Sequence, residues 1–396
     1  MSPYIATACI LYLIGKKRQV DFYTIAIIST LFYFLPIFFG FTWFRDGVTD
    51  IVNPITPQMD AVYSTVFFLL LLGCILNDAV LSRPFPMTFI VSRQKQLLYY
   101  SVALFAWLIF ATFHWQDLIV GRKENFGSLY SVSFTSVAIA LTIAITSKSI
   151  KWACVFILLA LIDTYAGNRE LIAFAAMVTF ILIMIKRGPV QLWVYSRSMI
   201  PILVAAFTLM TYKMISAVVI LQRWDLVFAR LADPDFYVMS IMRSEPFVTQ
   251  SLLFSAIEEG WTFNGSVFLN ISIILLPFGS IFSEDVQSLS GVINQHMGYL
   301  DYGVASNFWA ESYMMGGMPM VVISALVYAA APAAFNIMFA KWRSVVIRTV
   351  VALCAITLIF FLHRAGIEYS VNIMKRFLLF ALLVHCLFIL MNGRAK

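Results

Sequence analysis

The sequence predicts an all-α, polytopic integral membrane protein that forms one membrane domain over residues 1–396. Three observations carry this prediction: the mean hydropathy is +0.88, 61% of the residues are hydrophobic, and only 12% are charged. A water-soluble fold of this size cannot hide so much apolar surface from solvent. The sequence therefore excludes soluble enzymes and soluble binding domains.

Apolar runs of membrane-spanning length predict about eleven transmembrane helices. A bilayer is crossed by roughly 20 apolar residues. The runs that indicate spans lie near residues 2–15, 21–43, 61–78, 97–115, 128–146, 151–166, 170–186, 199–220, 318–340, 344–362 and 376–392. In the first run the basic cluster follows the apolar residues, which is the wrong order for a cleaved secretory signal, so we interpret it as a span.

The distribution of charge predicts the orientation of these spans. Sixteen of the 27 Lys and Arg residues fall in alternate loops on one side, where only Asp21 and Asp78 accompany them. By the positive-inside rule, that side is cytoplasmic. The net charge of +7 then reflects membrane orientation, and no nucleic-acid partner is expected.

One long segment, residues 221–318, lies on the outer side and is predicted to form a folded helical cap. Asp233-Pro234 and Ser244-Glu245-Pro246 have the pattern of helix starts, with a capping side chain followed by proline. We therefore interpret the Asp-Pro-Asp sequence at 233–235 as a helix start and not as a metal-binding DxD motif. The apolar run at 266–279 is too short to span a bilayer and suits a re-entrant or interfacial segment.

Arginines on the outer side oppose the insertion bias, so they are the first candidates for function. They come from separate segments of the chain and include Arg169 in the "GNRE" tip between two spans, Arg230, Arg243, Arg364 and Arg376. A guanidinium binds phosphate oxygens in a bidentate manner. One charge pair at about 4 Å is worth roughly 4 kcal/mol at an effective dielectric of 20, before desolvation, so several together could hold a lipid-linked pyrophosphate.

Each of these arginines has a simpler alternative role as a helix anchor or as the partner of a nearby acid. Arg169 could pair with Asp163, and Arg364 with Glu368. The arginines taken together favour the pyrophosphate hypothesis, because several segments that are separate in sequence are predicted to place guanidinium groups at the same depth, at the outer surface of the membrane.

Acids and aromatic residues crowd together where the long segment ends. His296, Asp301 and Glu311 lie within sixteen residues, directly before a span, and Asn307 and Tyr313 lie among them. A carboxylate at the membrane surface could accept a proton from an attacking hydroxyl. Aromatic rings and amides suit sugar recognition, and the alternative is an interfacial aromatic belt with solvated acids.

At these residues the sequence resembles a known family. "SNFWAESYMMGGMPM" is similar to the Ser, Glu-x-Tyr and glycine-turn pattern of the O-antigen and oligosaccharide repeat-unit polymerases of the Wzy type. "AGNREL" resembles their Gly-x-Arg step between two spans, and "LHRAGIEYSV" resembles their late external arginine segment. The plan of about eleven spans with one large periplasmic loop at 221–318 is also similar.

The resemblance implies a GT-C-like membrane glycosyltransferase that polymerises undecaprenyl-pyrophosphate-linked oligosaccharide repeat units into O-antigen or a related surface polysaccharide, in lipopolysaccharide biosynthesis. Arg169 and Arg364, together with Arg376 and Arg243, would hold the donor pyrophosphate. Glu311 would take the acceptor proton, with His296 and Asp301 as rivals. Because arginines can replace a metal ion at such a leaving group, the enzyme is expected to need no metal and no cofactor.

The same resemblance implies a multi-pass protein of the bacterial inner membrane with its active site facing the periplasm. Its expected partners are lipid-linked oligosaccharides and membrane lipid, and a chain-length regulator protein is a further candidate. An O-antigen ligase is the first alternative, since it shares the membrane plan and the lipid donor. A lipid-linked oligosaccharide flippase or other transporter is the second, although it would need charges lining a path through the bundle and a visible internal repeat.

Overall fold

The computed structural model describes residues 1–15, 18–46, 49–80, 92–120, 127–165, 170–190, 211, 215, 218, 223–263, 276, 292–293 and 306–393. Its helices are α1 (Ser2–Gly15), α2 (Phe22–Tyr33), α3 (Pro36–Phe39), α4 (Pro57–Val80), α5 (Arg93–Val120), α6 (Gly127–Thr146), α7 (Ile150–Tyr165), α8 (Glu170–Arg187), α9 (Trp224–Ala232), α10 (Pro234–Met242), α11 (Glu245–Glu258), α12 (Phe308–Lys341), α13 (Val345–Ile356) and α14 (Leu362–Gly393). A π-helical turn, Thr357–Phe361, joins the last two.

The described part of the chain is mostly helical and contains five helical stretches long and apolar enough to cross a membrane. Shorter apolar helices, α1, α2 and the start of α8, accompany them. These helices agree with the predicted helical membrane protein. The total of eleven spans stays a prediction, because the predicted span at 199–220 falls almost entirely outside the described residues. The run at 266–279, predicted to be re-entrant or interfacial, also lies outside them apart from residue 276.

A β-hairpin replaces the end of the predicted span at 21–43. Helix α2 ends at Tyr33, Pro36 starts the short α3, and Gly40 ends it with a φ of 81°. Strands β1 (Phe41–Asp46) and β2 (Thr49–Pro54) then pair antiparallel, with Trp43 opposite Val52. Proline cannot continue a helix hydrogen-bond ladder, and glycine accepts the left-handed conformation at low cost, so the helix ends here despite its apolar sequence. An entirely helical chain was therefore the wrong expectation for this segment.

Helices α1 and α4 run side by side in the same direction. The amino group of Met1 lies 2.9 Å from the Asp60 carboxylate, and the Tyr12 hydroxyl donates to Asp78 Oδ2 at 2.9 Å. We call the end of the bundle at Asp60 the upper end and the end at Asp78 the lower end. This parallel arrangement agrees with the predicted order, in which α2 runs back between them.

A buried polar network closes the lower end. Arg18 lies 2.7 Å from Asp21 and 2.8 Å from Asp78, and Asn336 donates to Asp21 Oδ2 at 2.9 Å. The backbone N–H of Val190 donates to the carbonyl of Arg18 at 2.8 Å. These contacts fix the ends of α8 and α12 at the lower end, so both helices begin at the upper end.

The last apolar stretch, Val345–Met391, spans 47 residues and folds back on itself. The ring centroid of Phe174 lies 4.1 Å from that of Phe361 and 5.9 Å from that of Phe377. In one continuous helix these two residues would be about 24 Å apart. The chain therefore turns between them, and the helical geometry breaks at Gly366, where φ is 71°.

Most of the buried side chains form one hydrophobic core that runs through the bundle and includes α11 from the predicted cap. Leu252, Leu253 and Ala256 of α11 are fully buried. Helix α11 thus packs among β1, α2, α4 and α12 as part of the upper end. Helices α9 and α10 pack around a separate small cluster of Ile215, Val218, Val227 and Phe236.

The Asp-Pro-Asp sequence starts a helix, as predicted. Asp233 is the N-cap of α10, its side chain accepts the N–H of Asp235 at 3.0 Å, and Pro234 occupies the first turn. Helix α11 likewise begins after Ser244 with Pro246 in its first turn. The helical interpretation of this part of the cap is therefore confirmed.

Candidate functional site

The start of α12 is fixed by the side chain of Asn307. Its Oδ1 accepts the backbone N–H groups of Trp309 at 2.9 Å and of Ala310 at 3.4 Å, while its Nδ2 donates to the Thr249 carbonyl at 2.7 Å. Asn307 is fully buried. The side-chain amide of Asn307, which was predicted to bind sugar, therefore forms hydrogen bonds within the protein: it caps α12 and connects α12 to α11.

Glu311, in the first turn of α12, is buried between two helix starts. The backbone N–H of Ile367 donates to Glu311 Oε2 at 3.0 Å, and the Ser306 hydroxyl donates to Oε1. A Cβ atom at Gly366 would overlap the same carboxylate. The break in α14 therefore does two things: it brings a backbone donor to Glu311, and it leaves room for the carboxylate where any side chain would collide.

A cavity of about 210 Å³ adjoins Glu311 at the upper end. Four polar side chains of α14 line it together with Glu311, namely Glu368, Tyr369, Asn372 and Arg376. Arg376 is exposed, and it forms no salt bridge with any residue that the structure describes. The cavity thus combines carboxylates, a neutral amide, a phenol and an available guanidinium.

Arg364 lies in the first turn of α14 and forms a salt bridge with Glu245 of α11, which is distant in sequence. Its Nε lies 2.5 Å from Glu245 Oε1, with 38% of the Arg364 side chain and 29% of the Glu245 side chain exposed. The alternative pairing with Glu368 was therefore wrong. A continuous helix would place these two residues on one face, but the break at Gly366 falls between them and separates them.

The first residue of α8 joins this group. The hydroxyl of Tyr369, a cavity residue, donates to Glu170 Oε2 at 2.6 Å, and Glu170 also interacts electrostatically with Arg364. Arg169, which precedes Glu170, lies outside the described residues, as do His296 and Asp301. Their predicted roles stay predictions. Glu170, which follows Arg169 in the sequence, nevertheless contacts Tyr369, and Tyr369 lines the cavity.

Two of the other predicted arginines do not line the cavity. Arg243 Nη2 is 2.9 Å from Asp50 Oδ2, and its guanidinium lies 5.4 Å from the centroid of the Trp43 ring. It therefore fastens the β-hairpin to the corner between α10 and α11. Arg230 lies on the exposed face of α9, which packs mainly with α10. Tyr313 is half-buried and packs against the main core.

His363 is a buried residue that sequence reasoning did not single out. The indole N–H of Trp309 donates to His363 Nδ1 at 2.9 Å, so Nε2 carries the ring proton of the neutral form. Nε2 lies 2.9 Å from the Tyr328 hydroxyl, which itself donates to the Ile359 carbonyl at 3.0 Å. This chain of hydrogen bonds fixes the residue next to Arg364 and links α12 to α14.

No group of three His, Cys, Asp or Glu side chains among the described residues is arranged to hold a metal ion. The five cysteines are likewise separate, three buried and two exposed. The arrangement at the upper end offers general acid or base chemistry from carboxylates and charge stabilisation from guanidinium groups.

Comparisons of the chain with protein-family models, curated proteins and solved structures found no match.

Proposed function

We propose that this protein is a membrane glycosyltransferase that polymerises undecaprenyl-pyrophosphate-linked oligosaccharide repeat units. The observation that supports it best is the convergence of Glu311, Arg364 and Arg376 at one end of the bundle. Arg376 and Glu311 line one cavity, and Arg364 lies beside its wall. A proton acceptor next to cations that bind phosphate is the pairing such a transfer requires.

In the proposed reaction an acceptor hydroxyl attacks the anomeric carbon of the donor sugar. The bond from that carbon to the pyrophosphate oxygen breaks, and the lipid pyrophosphate leaves with the bonding electrons. Arg364 and Arg376, with Arg169, stabilise the negative charge that develops on it. Glu311 takes the proton of the hydroxyl. The arginines supply the positive charge at the leaving group, so the proposed reaction has no requirement for a metal ion.

The contacts of Glu311 suit a base whose orientation must be fixed. Its carboxylate is held by one hydroxyl and one backbone N–H from different segments, and only 1% of the residue is exposed. Groups held in this way lose little freedom when the substrate binds. The same proposal places the protein in the bacterial inner membrane, with the upper end facing the periplasm.

The decisive experiment gives the purified full chain, in detergent, a single lipid-linked repeat unit. We expect a ladder of products that contain two, three and more repeats. An unchanged substrate would instead indicate a transporter, and transfer only to added lipopolysaccharide would indicate a ligase.

Arginine variants sharpen this experiment. Arg169→Ala and Arg364→Ala should abolish the ladder while the protein remains in the membrane, because each removes a cation from the pyrophosphate site. Arg223→Ala is the matched control, since this arginine is exposed and pairs locally with Asp225 at 3.0 Å. Near-normal ladders from both Arg169→Ala and Arg364→Ala would remove the proposed pyrophosphate site.

A further inference from the structure

A second, larger cavity lies directly beside the polar one. It has a volume of about 400 Å³ and is walled by α6 and the returning part of α14. The side chains that line it are almost all apolar or small, and they are Ser131, Val132, Thr135, Leu379, Phe380 and Leu383, together with Arg376. We call this cavity the α6–α14 groove.

Arg376 lines both the polar cavity and the α6–α14 groove. The groove continues from Arg376 to Leu383, seven residues further along α14, which corresponds to about 10 Å of helix. This part of α14 runs toward the lower end, where Phe388 lies 4.7 Å from the ammonium group of Lys95. The groove therefore leads away from the polar cavity, along the bundle axis.

The groove is open at the side of the bundle. Val132 is 52% exposed, Leu379 is 40% exposed and Leu383 is 53% exposed. They belong to helical stretches apolar enough to cross a membrane, so the opening faces the acyl chains of a bilayer. A ligand with a long apolar chain can enter the groove sideways, and its anionic head then meets Arg376.

We propose that the α6–α14 groove binds the isoprenoid chain of the lipid-linked pyrophosphate, with Arg376 at the junction between chain and pyrophosphate. This inference rests on the proposed function, since that function supplies an anionic head group with a long apolar tail. Two observations support this occupant: the guanidinium shared by both cavities matches the charge of the head group, and the groove runs in the direction in which the tail must leave it.

Photo-crosslinking tests the groove directly. Benzoylphenylalanine replaces Val132 in the full chain, in phosphatidylcholine nanodiscs, and the probe is radiolabelled undecaprenyl pyrophosphate. The matched control carries the same residue at Val327, which is 66% exposed on α12 and does not line the groove. We expect about tenfold more crosslinking at position 132, a difference that corresponds to about 1.4 kcal/mol.

Competition identifies the ligand class. Excess unlabelled undecaprenyl pyrophosphate should remove the crosslink at position 132, and excess phosphatidylglycerol should leave it. Arg376→Ala should also weaken it, because the head group loses its cation. Equal crosslinking at both positions, or equal competition by phosphatidylglycerol, would overturn the proposal, since the groove would then be an ordinary lipid-facing surface.

A groove-filling variant separates this proposal from the proposed function. Thr135→Trp should raise the substrate concentration at half-maximal ladder formation about fivefold, roughly the effect of losing 1 kcal/mol of chain burial, while Val327→Trp should not. Ladders without any effect of Thr135→Trp and without a specific crosslink would refute the groove and leave the polymerase standing. A specific crosslink without ladders would refute the polymerase and leave the lipid site standing.

Discussion

The carboxylate of Glu311 receives donors from both sides of its helix start, although burial of such a group is costly. Transfer of a polar group from water without partners costs several kcal/mol, and an unpaired charge costs more. Ser306 and the N–H of Ile367 reduce this cost. A hydrophobic residue at this position would leave the Ser306 hydroxyl and the N–H of Ile367 without this acceptor, so the acid joins the starts of α12 and α14.

Gly366→Ala tests whether this arrangement matters for activity. The substitution places a methyl group against the Glu311 carboxylate and forces a residue with a φ of 71° to carry a side chain. The left-handed strain alone costs roughly 1–2 kcal/mol. We expect the transfer rate to fall by about 100-fold or more, because displacement of a catalytic group has effects of this size.

Gly317→Ala is the matched control for backbone strain. Gly317 also has a positive φ, of 64°, but among the described residues the only neighbour within 4 Å of a Cβ atom there would be Pro319, at 3.9 Å. This variant should lose thermal stability to a similar degree and keep most of its activity. Equal loss of activity in the two variants would mean that helix breaks matter and that the Glu311 contact does not.

Glu311→Gln tests the proposed proton transfer. Glutamine keeps the size of the side chain, and its one carbonyl oxygen can accept the Ile367 N–H while its NH2 group donates to the Ser306 hydroxyl, but it cannot take a proton at neutral pH. Loss of a general base typically costs about 10² to 10⁴ in rate, so kcat should fall while KM for the donor changes little. Steady-state kinetics on the lipid-linked repeat provide the measurement.

Glu368→Gln is the companion variant, since Glu368 lines the same cavity. An unchanged rate in Glu311→Gln would move the base to Glu368, or to His296 or Asp301. A loss confined to KM would instead assign Glu311 to substrate binding.

At this scale the sequence was sufficient to single out Glu311 as a candidate but not to predict its partners. Glu311 was a candidate because an acid directly before an apolar span is unusual, and its catalytic role stays a prediction. Its contact with Ile367 could not, because it joins residues 56 positions apart. Arg364 was paired with Glu368 on helical spacing, and that spacing fails where Gly366 breaks the helix.

At the scale of elements, α11 connects several parts of the upper end. Its first residue pairs with Arg364, its Thr249 carbonyl accepts from Asn307, and the hydroxyl of Tyr63 on α4 donates to its Gln250 at 3.1 Å. The sequence predicted this helix but not its packing. Its composition is mixed enough to suit a surface cap, and its apolar face is buried by contacts with β1, α2, α4 and α12.

The salt bridge between Arg364 and Glu245 leads to a prediction about α11. The pair is partly exposed, so its contribution to stability is small, about 0–1 kcal/mol. Glu245→Gln should therefore preserve folding and leave Arg364 available to the pyrophosphate, with ladder formation equal to or faster than in the parent. Arg364→Ala should abolish ladders, and Arg364→Lys should restore only part of the rate, because lysine lacks the bidentate geometry.

Rates and thermal unfolding temperatures of the three variants decide between the two roles of Arg364. If the arginine serves only to hold α11, Glu245→Gln and Arg364→Ala will lose stability and activity together. Divergent rates at similar stability support the substrate role.

The β-hairpin could not be predicted from hydropathy. The run from 21 to 43 is mostly apolar, and hydropathy alone cannot distinguish a helix from a strand in such a stretch. Pro36 and Gly40 were the available signals. The position of Trp43 under Arg243 could not be predicted, because it depends on α10 ending where it does.

At the scale of the whole molecule, the two ends differ in chemistry. The lower end holds the ion pairs of Arg18 with Asp21 and Asp78, so its charges stabilise the bundle. The upper end holds the cavity, with Arg376 forming no salt bridge among the described residues. Hydropathy was sufficient to predict an apolar helical bundle, because the bilayer imposes it on the sequence, whereas the orientation predicted from charge asymmetry stays a prediction.

The proposed function requires the upper end to face away from the cytoplasm, and the two ends of α7 allow a matched test. Tyr165 at the upper end and Ile150 at the lower end are each 76% exposed. A cysteine is introduced at one position at a time, in a background where the exposed Cys154 and Cys386 are replaced by alanine and the three buried cysteines are kept, and its labelling reports the side of the membrane on which it lies. A membrane-impermeant maleimide should label Tyr165→Cys in intact spheroplasts and Ile150→Cys only after lysis. The reverse pattern would put Glu311 and Arg376 in the cytoplasm, where a polymerase of periplasmic lipid-linked repeats could not use them.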